Sequence, residues 1–368
     1  MPMLENRMKI DDNGGNNIMK EFNPKVSIII PVYNGSNYMR EAIDSVLAQT
    51  YVNIEVLVIN DGSDDNGETE RIALSYGDKI RYFSKTNGGV ATALNLGIRE
   101  MEGEYFSWLS HDDIYRPKKI EEQVKMLRNY DDKTIVIYSG WAIIDDKSKE
   151  FHRVIPTDRY AEEQLRRPLF PLLHGMISGC CLLIHKSHFE RVGMFNEKLP
   201  LTQDFDLWFR MMRSKMTLCF PEVLTMTRVH EQQGSKKHNQ NFSEEGDNLW
   251  LYIMKSLSKK EVSDIEDSEY LFFKNIYLHL FLYTSYEKSQ NYAKKKLYSS
   301  FKKESREWSF VKRLNERISL VGLGQKAILK EFLSSLWRDG VINTVKRTKY
   351  ALVRVVRKLR KGRYHHYG

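Results

Sequence analysis

The chain has 368 residues, 41% hydrophobic and 12% aromatic, enough for one large core with a smaller appendage. Its three cysteines (Cys180, Cys181, Cys219) show neither a disulfide framework nor metal-knuckle spacing, and no signal peptide or bilayer-length apolar run occurs, so a reducing, cytoplasmic setting is expected. The net charge of +9 is localised: residues 341–368 hold nine Lys/Arg and no Asp/Glu, and without them 48 basic residues balance 48 acidic ones, which argues against a nucleic-acid-binding body.

Residues 1–24 read as a flexible segment. From Lys25 a rhythm begins. "VSIII" is a β-rich run, "PVYNGS" a turn and "NYMREAIDSVLAQT" a helix. "IEVLVIN" reads as a buried strand, "DGSDDNGE" as a loop and "TERIALSYG" as a helix. "KIRYFS" is a third strand, "TNGG" a break, and "VATALNLGIREM" resumes helical spacing before the strand "EYFSWLS". Alternating strands and helices predict βαβ units and a mostly parallel sheet with helices on both faces. Residues 134–240 mix short strands ("TIVIYSG", "CCLLIH", "TLCF") with loops and the helical "DFDLWFRMM". Residues 241–340 read as amphipathic helices rich in Tyr, Phe, Leu and Lys. In 341–368, Ile342, Val345, Leu352, Val356 and Leu359 share one helical face among Lys and Arg. That pattern predicts a basic amphipathic tail on an anionic membrane, at the inner face of the cell membrane.

Each polar or glycine-rich cluster of the first half follows a strand: Pro31–Ser36, Asp61–Asp65, Asn87–Gly89 and Ser110–Asp113. All four should line the carboxyl edge of the sheet, where open α/β folds bind ligands. There Asp61 would accept a hydrogen bond from a base or ribose, Tyr33 would stack on a base, and Pro31 would stiffen its loop. Gly88 and Gly89 would admit close backbone approach, although no P-loop or G-x-G-x-x-G is present. The adjacent carboxylates Asp112 and Asp113 suit a Mg2+ or Mn2+ ion bridging to a diphosphate. The competing reading makes Asp113 the N-cap of a helix in "IYRPKKIEEQ".

The stretches "VSIIIPVYNGSNYMREAIDSVLAQT", "VLVINDGSDD", "TNGGVATALNLGI" and "GEYFSWLSHDD", in this order, resemble the family 2 inverting glycosyltransferases of GT-A fold. "VGMFNEKLPLTQDFDLWFRM" and "RVHEQQGS" resemble that family's acceptor-side segments, so the likeness spans residues 25–240. The resemblance implies that Pro31, Tyr33, Asn34, Asp61, Asp65, Asn87, Gly88, Gly89, His111 and Asp112 hold a nucleotide-sugar donor, a UDP-sugar first. It implies Asp204 as catalytic base, with Asp206 as local competitor or helix cap, and a Mg2+ or Mn2+ site on Asp112, Asp113 and His230. The implied acceptor is a glycan or a lipid-linked hydroxyl, in cell-surface polysaccharide or glycan assembly. Departures are Ser110 at the first position of the family's metal signature, Leu94 where relatives carry Arg, and Gln203 before the base. The alternative is a non-catalytic module of the same fold that binds a nucleotide sugar or glycan as a scaffold. The oligomeric state is left open.

Overall fold

The computed structural model of the chain describes residues 22–231, 239–306 and 309. The expected flexible segment up to residue 21, residues 232–235 of "RVHEQQGS" and the basic tail 341–368 lie outside the described residues.

Among the described residues nine strands form two sheets. They are β1 (Val26–Val32), β2 (Ile54–Asn60), β3 (Arg81–Ser84), β4 (Tyr105–Trp108), β5 (Ile114–Tyr115), β6 (Val136–Ile144), β7 (Glu150–Val154), β8 (Ile184–His185) and β9 (Thr217–Arg228). The first sheet runs β3-β2-β1-β4-β8 and the second β5-β9-β6-β7. In the first, β1 to β4 pair in parallel and only β8 is antiparallel. The expected parallel α/β sheet is therefore present. The chain steps from β1 to β2 to β3, then returns to lay β4 on the other side of β1. That reversal opens a crevice between the ends of β1 and β4.

Every residue of β1 is buried, which is why it reads as one apolar run rather than an alternation. On one face Ile28 and Ile30 meet Met39, Ala42, Ile43 and Val46 of the helix Met39–Leu47, spaced i, i+3, i+4, i+7. On the other face Ile29 lies against the helix Val90–Glu100, where a Cβ at Gly97 would stand 2.5 Å from its Cγ2. Only glycine allows that approach.

Three elements differ from the sequence reading. "CCLLIH" yields a 3-10 turn at Gly179–Cys181 and only a two-residue strand, because β8 pairs with just Tyr105 and Phe106. "TLCF" is the start of a twelve-residue strand, β9, which pairs in parallel with β6. Asp113 caps no helix: β5 follows it, and the next helix begins at Lys119.

The chain divides into two compact units between Ile265 and Glu266. In the second, the helices Glu269–Tyr283 and Glu287–Glu304 bury Tyr270, Phe272, Phe273, Ile276, Ala293, Leu297 and Phe301. Ser268 caps the first of them through the Leu271 N–H, 3.1 Å away.

Candidate active site

The four polar loops open on one edge because the strands before them are parallel, with Val32, Asn60 and Ser84 in register at the ends of β1 to β3. Asp61 is 4% exposed. Its Oδ1 accepts from Lys85 Nζ at 2.6 Å and from the Gly88 N–H at 3.0 Å, and its Oδ2 accepts from the Gly89 N–H at 2.7 Å. Gly88 and Gly89 therefore spend their N–H groups on Asp61 rather than facing the crevice unengaged. Gly89 has φ of +88° at the start of its helix. Asp65 binds the Thr69 N–H and hydroxyl, and Thr69 Oγ1 accepts from the Gly35 N–H at 3.0 Å, so the Asp65 carboxylate links its own loop to the one after β1. Asn34, with φ of +50°, exchanges hydrogen bonds with Asp64, leaving the Tyr33 ring 44% exposed beside them. Pro31 lies buried in β1, while Asn87 is exposed.

The loops after β1 and β4 touch across the crevice. A Cβ at Gly35 would stand 2.7 Å from His111 Cδ2. Burial pushes the His111 imidazolium below its ordinary pKa, against the pull of Asp112. Next to it, Asp112 Oδ2 lies 3.0 Å from His230 Nε2, and both side chains are nearly buried. These residues are 118 apart in sequence. They meet because β5 pairs with Thr225 and Met226 of β9, bringing the end of β9 beside the loop after β4. A hard carboxylate oxygen and an imidazole nitrogen on one point fit a divalent cation that takes its other ligands from phosphate and water. Among the described residues no three His, Cys, Asp or Glu side chains converge as a ready-made cage.

Asp113, grouped with that pair in the sequence reading, does not join it. Its Oδ1 accepts the Arg228 N–H at 2.9 Å, and burial, with Asp112 adding to it, pushes its carboxyl well above the usual range. Arg228 is the residue that sequence reasoning missed here. Its Nε donates to the Asp112 carbonyl at 2.8 Å, its Nη1 to the Asp145 carbonyl and Ser148 Oγ, and its Nη2 to Glu41. The guanidinium stands 4.3 Å from the centre of the Tyr38 ring, which also meets His230 edge-on. A charged residue closing the apolar and Thr-rich run "VLTMT" at the end of β9 was the available signal.

Asp204 stands in the first turn of the helix Gln203–Met212. Its carboxyl is pushed above the ordinary aspartate pKa by burial, while the Phe205 N–H, 2.7 Å from Oδ1, works the other way. Asp206, its competitor, is committed to Arg210 at 2.8 Å within the same helix. Rings of Trp108, Phe195 and Trp208 pack edge-on in series, tying this helix to the end of β4. Asn95 pins the intervening loop through both Phe195 backbone groups and Glu197. Leu94 is fully buried and faces the core. Gly179 is approached by the Trp108 ring, 2.6 Å from where a Cβ would stand. Ser110 Oγ lies 3.5 Å from Cys180 Sγ, and Cys180 and Cys181 pack as buried small side chains.

Beneath the loop lies Lys119, fully buried, with Nζ 2.9 Å from both Ser107 Oγ and Gln123 Oε1 and 4.3 Å from the Tyr115 ring centre. Burial pushes its ammonium down to about 7, whereas an unfolded lysine titrates near 10.5. Between those values the unfolded chain binds the extra proton, so stability rises with pH. Unfolding free energy measured at pH 7 and pH 9 should climb by about 2 kcal/mol more in the native chain than in Lys119→Met. Equal climbs would remove Lys119 as the source.

A model of the family described as glycosyl transferase family 2 matches residues 27–193. A glycosyltransferase of Rickettsia typhi is 52% identical over 255 residues, covering 69% of this chain and 79% of that protein. One from Rickettsia felis is 53% identical over 266 residues, covering 72% of this chain. The chain spans 44% of the length of that relative. Among solved structures, the mannosyltransferase PcManGT from Pyrobaculum calidifontis, in complex with GDP-Man and Mn2+, matches with a TM-score of 0.56 at 16% identity, covering 92% of this chain and 87% of that one.

Proposed function

The chain belongs to glycosyl transferase family 2, and we propose that it moves a hexosyl group from a nucleoside-diphosphate sugar to a hydroxyl acceptor with inversion at the transferred carbon. The observation that carries this reading is the meeting of Asp112 and His230 at 3.0 Å beside the crevice between β1 and β4, on the same edge as Asp61. Asp112 and His230 would hold a Mg2+ or Mn2+ ion, which when bound supplies positive charge opposite a departing diphosphate. Asp113 has no part in that ligation.

The remaining chemistry belongs to the chain's own side chains. The base and ribose lie along Tyr33 and Asp61. Asp61 Oδ1 already takes Lys85 and Gly88, while Oδ2 takes Gly89 and keeps a second lone pair, which suits the single N3–H of a uracil. The acceptor oxygen attacks the sugar carbon from the face opposite the diphosphate and gives its proton to the Asp204 carboxylate. As that bond forms, the carbon–oxygen bond to the diphosphate breaks, and its electron pair leaves with the phosphate. A carboxylate suffices as base within hydrogen-bond reach of the acceptor hydroxyl. The acceptor is a glycan or lipid-linked hydroxyl, in assembly of a cell-surface polysaccharide or related glycan.

Thermal unfolding with a panel of UDP-, GDP- and dTDP-sugars, each with and without Mn2+, tests the reading. A UDP-sugar at a hundred times its Kd should add about 2.7 kcal/mol, and only when the metal is present. A panel in which no nucleotide sugar raises the unfolding midpoint would count against it.

A further inference from the structure

Helix Gln203–Met212 begins without a side-chain cap of its own at Thr202, although its first turn carries the candidate base. The residues leading into it are instead held from elsewhere in the chain. Glu245, on the helix Asn239–Ser256, places Oε1 2.7 Å from the Thr202 N–H, 2.7 Å from Thr202 Oγ1 and 3.0 Å from the Leu201 N–H. One carboxylate oxygen thus gathers three donors from the two residues that lead into the base helix. An anion at a helix N-terminus also opposes the positive end of the helix dipole.

We propose that Glu245 is a positioning residue for the candidate base: from a neighbouring helix it fixes the backbone on which Asp204 is mounted. This inference rests on the reading of Asp204 as base. Glu245 lies beyond residues 27–193, the part of the chain matched by the family model. It gives the helix Asn239–Ser256 a direct part in the reaction centre. A displacement of about 1 Å at a catalytic group is enough to cost around a hundredfold in rate, so a three-donor anchor one turn from Asp204 has the right reach.

Charge supplies an independent readout. Glu245 also acts on Asp204 through space, adding to the rise that burial imposes on its carboxyl. The other charged group on the same turn, Asp206, is neutralised by Arg210. Glu245→Gln keeps an acceptor oxygen for Leu201 and Thr202 but removes the charge, whereas Glu245→Ala removes both.

The experiment is a carboxyl carbon-13 NMR titration of the full chain labelled at aspartate, with the Asp204 signal identified by its loss in Asp204→Asn. In Glu245→Gln the Asp204 titration midpoint should move to lower pH with the fold unchanged. In Glu245→Ala turnover of the UDP-sugar should fall roughly tenfold or more, with KM for the donor nearly unchanged. Native turnover in a folded Glu245→Ala would overturn the proposal, as would equal losses in Glu245→Ala and Glu245→Gln, since only the latter keeps an acceptor for Leu201 and Thr202; where Glu245→Ala folds poorly, the shortened Glu245→Asp decides in its place. Wild-type turnover by Asp204→Asn would instead overturn the base assignment, a separate failure read in a separate protein.

Discussion

Asp204→Asn is expected to lower sugar transfer by about 100- to 10,000-fold, the range for removing a positioned general base. Donor affinity should stay nearly as it was. The two effects separate because Asp204 stands on the helix Gln203–Met212, whereas Asp61, Asp112 and His230 stand on the strand ends. The substitution is close to isosteric. An asparagine oxygen can still accept the Phe205 N–H that Asp204 Oδ1 holds at 2.7 Å, so the helix start should survive. What is lost is the ability to take the acceptor proton. Calorimetric binding of the UDP-sugar alongside turnover checks both halves. Turnover near the native rate would pass the base role to another group. Loss of donor binding would make Asp204 part of the donor pocket.

Replacement of Arg228 should be the most destabilising single change in this region. Its guanidinium is 1% exposed and donates to two carbonyls, a serine hydroxyl and the Glu41 carboxylate. In Arg228→Leu the Asp112 carbonyl loses the Arg228 donor, the Asp145 carbonyl keeps only the Ser148 N–H, and Glu41 loses its cationic partner. Breaking a buried pair by removing one member costs about 3 to 5 kcal/mol. Glu41 is 43% exposed, so solvent screens its share, and the lower end of that range is expected. Arg228→Lys should recover little, because one ammonium cannot reach four acceptors in a planar fork. Denaturant unfolding reads the loss directly. A change under about 1 kcal/mol would mean that the neighbours find other donors. Because Arg228 also holds the Asp112 backbone, Mn2+-dependent donor stabilisation should weaken in the same variants.

The rim was legible because parallel, doubly covered strands announce themselves as unbroken apolar runs and their following loops as polar breaks. Ile28 to Ile30, Val56 to Ile59 and Tyr105 to Leu109 are all buried, as such runs require. Long-range meetings were legible only through the family resemblance, which already put Asp112 and His230 on one site, and not from the residues' own pattern. The contact between Asp112 and His230 depends on β5, two residues with no pattern of their own, choosing Thr225 and Met226 as partners. Asp113 looked like a second metal ligand because sequence adjacency says nothing about which way a carboxylate turns. Here the Arg228 N–H takes it inward. Asp61 was read as an acceptor awaiting a ligand, but most of its capacity serves Lys85, Gly88 and Gly89. Asp206 was read as a helix cap, and the helix begins three residues earlier. Lys119 was invisible in "RPKKIEEQ", where a lysine pair reads as solvated surface, yet one of the two is fully buried.

A crystal structure of the full chain with a UDP-sugar and Mn2+ tests the central claim most directly. The account predicts the uridine along Tyr33 and Asp61, the diphosphate beside a metal ion on Asp112 and His230, and the sugar carbon turned toward Asp204. A nucleotide bound away from the carboxyl ends of β1 and β4, or a metal ion held by Asp113 without His230, would contradict it.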